Sequence, residues 1–307
     1  MLFPSLKEVG RLSEMYSVIP VFWEIPADHW SPLQIYAALS RSSVHAFLLE
    51  GISTPSGFCR WSYIGCDPQL LVRAKNGKTE VSAFGSTYEA ADTEQLVQEI
   101  LNGRRSPVFP DCPEFTGGFA GFCLADEATS CTFGLYDEII AYDHLKSMAV
   151  IILNLHTGTE ITAQYQAAEI RAAQLAAEIE GFRLSPQFRD DAPPIRVKEG
   201  GVENAPDSFE LYRRIRSHFP SPRLCFCKED DERLAASCAL AKQGGRRADA
   251  VAGYRGYNGS DLRLFTEQAV HYADVTTAFA SIRCERQEDV QHILELMRSA
   301  KFENTAI

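Results

Sequence analysis

Glu50 closes the apolar run Ala46-Phe47-Leu48-Leu49, and Arg60-Trp61-Ser62-Tyr63 opens a basic-aromatic run ten residues later. A carboxylate suits an ammonium ion, and a guanidinium grips a carboxylate through two parallel N–H donors. Together these residue types could hold an α-amino acid by both of its charged groups. Arg73, on an alternating stretch, and Arg223-Leu224, after Pro220-Ser221-Pro222, supply further cations. Glu50 and Glu99 are the carboxylates that could remove a proton from such a ligand. Each residue also has a plainer reading. Glu50 and Arg60 could be salt-bridged residues at strand ends, Arg73 and Glu99 could face solvent, and Arg223 could cap a loop.

Other chemistries find less support. Seven histidines sit without metal-ligand spacing. Nine cysteines are scattered, and the alternation of an apolar strand explains Cys225-Phe226-Cys227 better than metal binding does. Free thiols in a reducing cytoplasm are expected. Ser62, Ser221 and Ser281 lack the G-x-S-x-G setting of a nucleophile elbow. The glycines of Phe115-Thr116-Gly117-Gly118-Phe119-Ala120-Gly121-Phe122 suggest close backbone approach, not a dinucleotide fingerprint. The net charge of −11 argues against nucleic acid or an anionic membrane as partner. No apolar run approaches the ~20 residues of a membrane span, and Met1 to Gly10 lacks the apolar core of a signal peptide. No metal and no cofactor are expected.

The elements that must position these residues alternate between strands and helices. Strands are predicted over Val18–Ile25, Ala46–Glu50, Trp61–Gly65, Gln69–Ala74 and Lys78–Phe84, the last two joined by Asn76-Gly77. Ser31-Pro32 opens a helix through Leu39, Thr93 to Leu101 forms a second, and Ala163 to Glu180 is the clearest. Phe133 to Asp143 leads into the β-branched strand Ala149–Leu155. Pro186 to Pro206 reads as a linker dividing the chain into 1–190 and 205–307. Beyond it come a helix over 208–216, a strand over 223–227, a polar glycine-rich stretch, a strand over 275–284 and a helix over 287–299.

Five ordered segments resemble the N-terminal region of anthranilate synthase component I. They are Ile19-Pro20-Val21 with Glu24 to Asp28, Phe47 to Glu50, Arg60 to Pro68, Phe115 to Gly121, and Phe133 to His144. The resemblance implies an α+β fold, with antiparallel β-sheets and outer helices, over 1–190. It makes 205–307 a reduced remnant of the family's chorismate-binding domain. It also implies a role for the opening residues. In the family, a Leu-Leu-Glu-Ser strand, a basic residue on the next strand and an Asn-Pro-Ser-Pro-Tyr-Met segment hold tryptophan as feedback inhibitor. The parallels are Leu49, Glu50, Arg60, Pro222, Arg223 and Leu224.

The departures bear on the chemistry. The family's Ala-Ser-Pro-Glu carboxylate falls on Ala239, its Ala-Gly-Thr-Arg threonine on Tyr254, and its catalytic histidine on Thr277. Magnesium wants an octahedral set of oxygens, and no acidic cluster replaces the family's glutamates. Ordinary anthranilate synthesis is therefore not expected. Three readings follow. The first is a metal-independent enzyme that condenses tryptophan with an aldehyde or oxo acid in a Pictet–Spengler reaction. Glu50 or Glu99 would be its base, and Arg60, Arg73 and Arg223 its carboxylate anchors. The second is a non-catalytic tryptophan-binding regulator, and the third is residual activity on chorismate. A homodimer is expected.

Overall fold

A computed structural model describes residues 2–43, 45–51, 60–75, 77–83, 86–90, 92–125, 130–158, 160–182, 223–228, 249–266 and 278–282. The boundary drawn between 190 and 205, and the helices expected over 208–216 and 287–299, lie outside them.

Two seven-stranded antiparallel sheets carry the fold. The first holds β1 (Val18–Pro26), β2 (Ala46–Gly51), β3 (Trp61–Cys66), β9 (Glu138–Asp143), β10 (Met148–His156), β11 (Arg223–Lys228) and β14 (Ala278–Ile282). Its strand order is β1-β10-β9-β3-β2-β11-β14. The second holds β4 (Leu70–Lys75), β5 (Lys78–Ala83), β6 (Ser86–Ala90), β7 (Gly118–Ala125), β8 (Ser130–Tyr136), β12 (Asp249–Gly256) and β13 (Asp261–Thr266). Its order is β13-β12-β7-β8-β4-β5-β6. Each sheet thus takes strands from both sides of residue 200, so the late strands complete the early ones.

Four helices are described: α1 (Leu6–Leu12), α2 (Pro32–Leu39), α3 (Thr93–Asn102) and α4 (Ile161–Gly181). α2 starts as its sequence dictates. Ser31 accepts from the Gln34 backbone, Gln34 reaches back to Ser31, and Pro32 takes the first helical position. α4 lies along β10 and β1 and touches α1 and α2, so these helices cover the outer face of the first sheet. α3 puts Val97 against Val72 and Val81 of the second sheet. No described helix is long and apolar enough to cross a membrane.

Aromatic rings fill the space between the sheets. Phe47 meets Tyr136 edge-on at 4.8 Å, and Tyr63 meets Phe115 at 5.7 Å and Tyr254 at 5.5 Å. Phe115 and Tyr254 stack at 4.3 Å. Each such ring, fully buried, contributes roughly 1.5–3 kcal/mol by leaving water, and the edge-on geometry adds to it. The glycine-rich run brings β7 close to its neighbours. A Cβ on Gly121 would collide with the Thr132 carbonyl, and one on Gly118, whose φ is +131°, with the Arg255 carbonyl.

Four features differ from expectation. Phe133 to Asp143 is two strands in two different sheets, broken at Asp137, where a buried carboxylate gathers hydrogen bonds instead of continuing a ladder. The polar stretch after Lys228 contains β12 and β13, because Ala250-Val251-Ala252 and Tyr254 are apolar enough to add to β7 and Gly259, at φ +82°, takes the turn. The helix α1 was also not expected, although Ser5 and Glu8 form a capping box ahead of Leu6, Val9 and Leu12, and neither was the short, largely exposed edge strand β6. Finally, not all cysteines are free thiols. Cys131 is disulfide-bonded, and the residue paired with it across the β7–β8 ladder is Cys123.

Candidate functional site

β2 runs between β3 and β11, antiparallel to both. Its pairing with β11 sets Leu49 opposite Cys225, Glu50 opposite Leu224 and Gly51 opposite Arg223. Its pairing with β3 sets Leu49 opposite Tyr63, so Arg60, just ahead of Trp61, lies at the same end of the sheet. Four of the candidate positions, Leu49, Glu50, Arg223 and Leu224, are therefore cross-strand neighbours, drawn from segments about 170 residues apart. Leu49 is buried. Pro222 lies outside the described residues.

Arg60 joins this end of the sheet but is already engaged. Its Nε and Nη2 both donate to Asp143 Oδ2, at 3.1 and 2.8 Å, and its guanidinium lies over the Trp61 ring at 4.5 Å. Asp143 Oδ1 accepts from the backbone N–H of Leu145 at 2.9 Å and of Lys146 at 3.3 Å. The Asp143 side chain is 1% exposed, against 26% for Arg60. Burial alone would raise the Asp143 carboxyl's pKa. The Arg60 bonds and the two backbone donors outweigh it and hold the pKa below the usual carboxylate value. The bond to Asp143 in turn raises Arg60. Beside this pair, Ser62 Oγ and His144 Nε2 stand 2.7 Å apart.

The remaining candidates fall elsewhere. Arg73 is on β4 of the second sheet, between Glu80 of β5 and Thr132 of β8, with its Nε buried and unbonded. Glu99 is exposed on α3, accepting from Gln95 Nε2 at 2.7 Å. The structure thus sets the Glu50, Arg60 and Arg223 positions at one end of the first sheet, with Glu50 and Arg223 on opposite faces by register, and leaves Arg73 and Glu99 with the other sheet.

Two constellations escaped the sequence reading. One is Asp143 itself, whose Tyr142-Asp143-His144 setting gave no sign of a partner 83 positions earlier. The other centres on Asp137, which is 8% exposed. It accepts from Gln69 Nε2, His156 Nε2 and Tyr257 Oη, each at 2.5 Å. Burial and the Asp137 charge push the Tyr257 phenol far above the ordinary tyrosine range, so it stays a neutral donor. Three donors from three distant segments are invisible to local periodicity.

The positions that the resemblance sets against the family's chorismate-binding domain fall partly among the described residues. Ala239 and Thr277 lie outside the described residues. Tyr254, at the position of the family's threonine, is 4% exposed and belongs to the inter-sheet core. Among the described residues no group of three or more His, Cys, Asp or Glu is placed to hold a metal ion.

Comparison with known proteins agrees with the resemblance. The chain is 30% identical over 197 residues to anthranilate synthase component 1 of Acetivibrio thermocellus, covering 58% of this chain and 40% of that one. It is 25% identical over 283 residues to the probable anthranilate synthase component 1 of Schizosaccharomyces pombe, covering 75% and 55%. It is 27% identical over 275 residues to anthranilate synthase component 1 of Acinetobacter calcoaceticus, covering 72% and 54%. Among solved structures, anthranilate synthase component I from Streptococcus pneumoniae superposes with a TM-score of 0.39 at 15% identity, covering 66% of this chain and 54% of that one. No family model matches the chain. The chain spans about half the length of the curated relatives it matches. What these sequence matches show is similarity, at 25–30% identity, to proteins named anthranilate synthase component 1.

Proposed function

We propose that the chain binds tryptophan, or a closely similar aromatic amino acid, at the end of the first sheet where β2 meets β11. The observation that supports this is the register that makes Glu50 and Gly51 neighbours of Leu224 and Arg223. Glu50 and Arg223 stand at the same strand ends, one position out of register with each other, at the positions that the resemblance aligns with the family's tryptophan site. Arg60 has turned two donors to Asp143. Glu50 is assigned to the ligand's ammonium group, and Arg223, which the register sets on the opposite face, to its carboxylate by reaching around the strand end at Gly51. Arg60 and its stacked Trp61 form the wall beside them.

Calorimetry on the full chain tests this with three ligands: L-tryptophan, tryptamine, which lacks the carboxylate, and indole-3-propionate, which lacks the ammonium. A charge-assisted bond is worth about 1.5–3 kcal/mol, so losing one weakens binding about tenfold or more. Glu50→Gln should weaken tryptophan and tryptamine but spare indole-3-propionate. Arg223→Met should do the reverse for the two analogues. Absence of tryptophan binding at millimolar concentration sinks the proposal.

Turnover is the further part of the reading. The bound amine would condense with an aldehyde or oxo acid, releasing water. The iminium would then close on indole C2, and a carboxylate would take the C2 proton. Holding amine and indole in one place supplies part of the rate. Glu50 is the base assigned, since Glu99 stands over the second sheet. Tryptophan with a small aldehyde, followed by mass analysis, should show the cyclised product, and Glu50→Gln should lose it. A parallel incubation with chorismate, magnesium and ammonia checks the relatives' named activity. Anthranilate fluorescence there would displace this reading.

A further inference from the structure

Arg73 stands on the face of the second sheet that looks toward the first. Alternate residues of a strand share a face, and so do residues paired directly across a ladder. Tyr136 of β8 meets Phe47 of the first sheet, so Thr132 and Gly134 on the same strand look inward with it. Arg73 pairs with Thr132 and looks inward too, whereas its neighbour Val72 packs outward with Val97 of α3. The row across the sheet at this level runs Glu80, Arg73, Thr132. Two donors in that row are left over. Arg73 Nε is buried with no hydrogen-bond partner, and so is Thr132 Oγ1, on a residue that is 4% exposed. Arg60, Arg171 and Arg255 each hold a carboxylate. Among the described residues Arg73 holds none, although Glu80 is directly across from it on β5. A buried donor without a partner forfeits its hydration for nothing, and the loss is larger on a charged group.

We propose that Arg73 and Thr132 form a binding site for one small carboxylate. Opposed strand residues have Cβ atoms about 4.5–5.5 Å apart, so both donors reach the same anion. The guanidinium takes the carboxylate through Nε and one Nη in parallel, and the Thr132 hydroxyl donates a third bond. Tyr136 closes one side, since a Cβ on Gly134 would meet its ring at 2.6 Å. The side toward Glu80 is open, because Arg73 is only half-buried and Glu80 is exposed. A monoanion matches the single cation. A phosphate dianion would exceed it, and Glu80 would repel it more strongly. The site lies in the second sheet and does not rest on the tryptophan reading.

The test uses the full chain with isotope-labelled acetate, titrated at constant ionic strength and followed by NMR. Acetamide is the neutral counterpart and inorganic phosphate the dianion. Acetate should bind with a dissociation constant of about 10 mM or tighter, phosphate more weakly, and acetamide not at all. Arg73→Met should weaken acetate at least about tenfold, the size of a lost charge-assisted bond, and Thr132→Val about threefold or more. Arg73→Lys keeps the charge but loses the fork, and should also weaken it. Glu80→Gln should tighten it, and Glu50→Gln should leave it unchanged. Without acetate, Arg73→Met should melt no lower than wild type, since it removes an unpaired group. No acetate binding up to about 100 mM overturns the proposal. So does undiminished binding by Arg73→Met, which would mean an adventitious ion only. Phosphate binding as tight as acetate overturns it too, as does a clear fall in the melting temperature of acetate-free Arg73→Met, which would show that Arg73 already has a partner.

Discussion

Two buried aspartates six residues apart solve the same electrostatic problem in different ways. Asp143 sits at an end of the first sheet and is neutralised by a cation, Arg60, whose side chain still reaches water. Asp137 sits where the chain leaves the second sheet for the first, and its carboxylate is held by Gln69, His156 and Tyr257. A charge paired with a partly solvated arginine can relax when its partner is lost. A charge satisfied by a phenol, an amide and an imidazole takes all three donors with it. The second arrangement also spans more of the fold. Gln69 precedes β4, His156 ends β10, and Tyr257 follows β12. Asp137 therefore ties both sheets to the late strands, whereas Asp143 ties a strand end to a turn.

The largest expected effect tests that contrast directly. Asp137→Asn keeps the shape but removes the charge, and sets an amide N–H against groups that are already donors. A hydrogen bond to a charged group is worth about 1.5–3 kcal/mol, and leaving buried donors unpaired adds a penalty. We expect a loss of about 3–4 kcal/mol in urea unfolding. Tyr257→Phe, which removes one donor and leaves two, should cost about half as much. If Tyr257→Phe costs nothing, the three-donor account of Asp137 is wrong.

Asp143→Asn should cost less, about 1–2 kcal/mol, because its Oδ1 can still accept from Leu145 and Lys146 and the freed Arg60 has water within reach. Its signature is in the pH dependence. The folded-state pKa of Asp143 lies below the ordinary carboxylate value, so the native state holds fewer protons than the unfolded chain. The stabilisation is complete above the unfolded value of about 3.9 and fades as pH falls through the lowered folded one. Wild type and Asp143→Asn should therefore differ at neutral pH and converge in acid. A constant gap down to acid pH, or a cost exceeding that of Asp137→Asn, would reverse the ranking of the two sites.

The same contrast explains what the sequence could reveal. Strand β1, helix α2 and the β4–β5 hairpin follow rules that act over a few residues, namely alternation, a serine cap with proline behind it, and Asn-Gly at a turn. The cross-strand meeting of Glu50 with Leu224 was legible only through family resemblance, because no local pattern links residues so far apart. Asp143 and Asp137 were not legible at all as sites. Each looks locally like a strand residue, and what distinguishes them is donors supplied by distant segments. β12 was missed for a related reason. Gly253 and Tyr254 interrupt its apolar alternation, yet Gly253 faces Gly121 across the ladder and Tyr254 stacks on Phe115.

The smallest effect separates the first sheet's end from the second sheet's helix. Glu99 is exposed on α3, and its described side-chain bond is to Gln95 one turn earlier. Such an i,i+4 pair contributes a few tenths of a kcal/mol. Glu99→Gln keeps a side-chain acceptor for Gln95 and removes one negative charge. Stability should move by no more than that amount, and tryptophan binding and condensation should be unchanged. Glu50→Gln, at the β2–β11 seam, should change both. Equal losses from the two variants would mean that the base reaches the ligand from the second sheet. The inter-sheet face around Arg73, whose Nε is buried and unbonded, would then have to be the place where the amino acid sits.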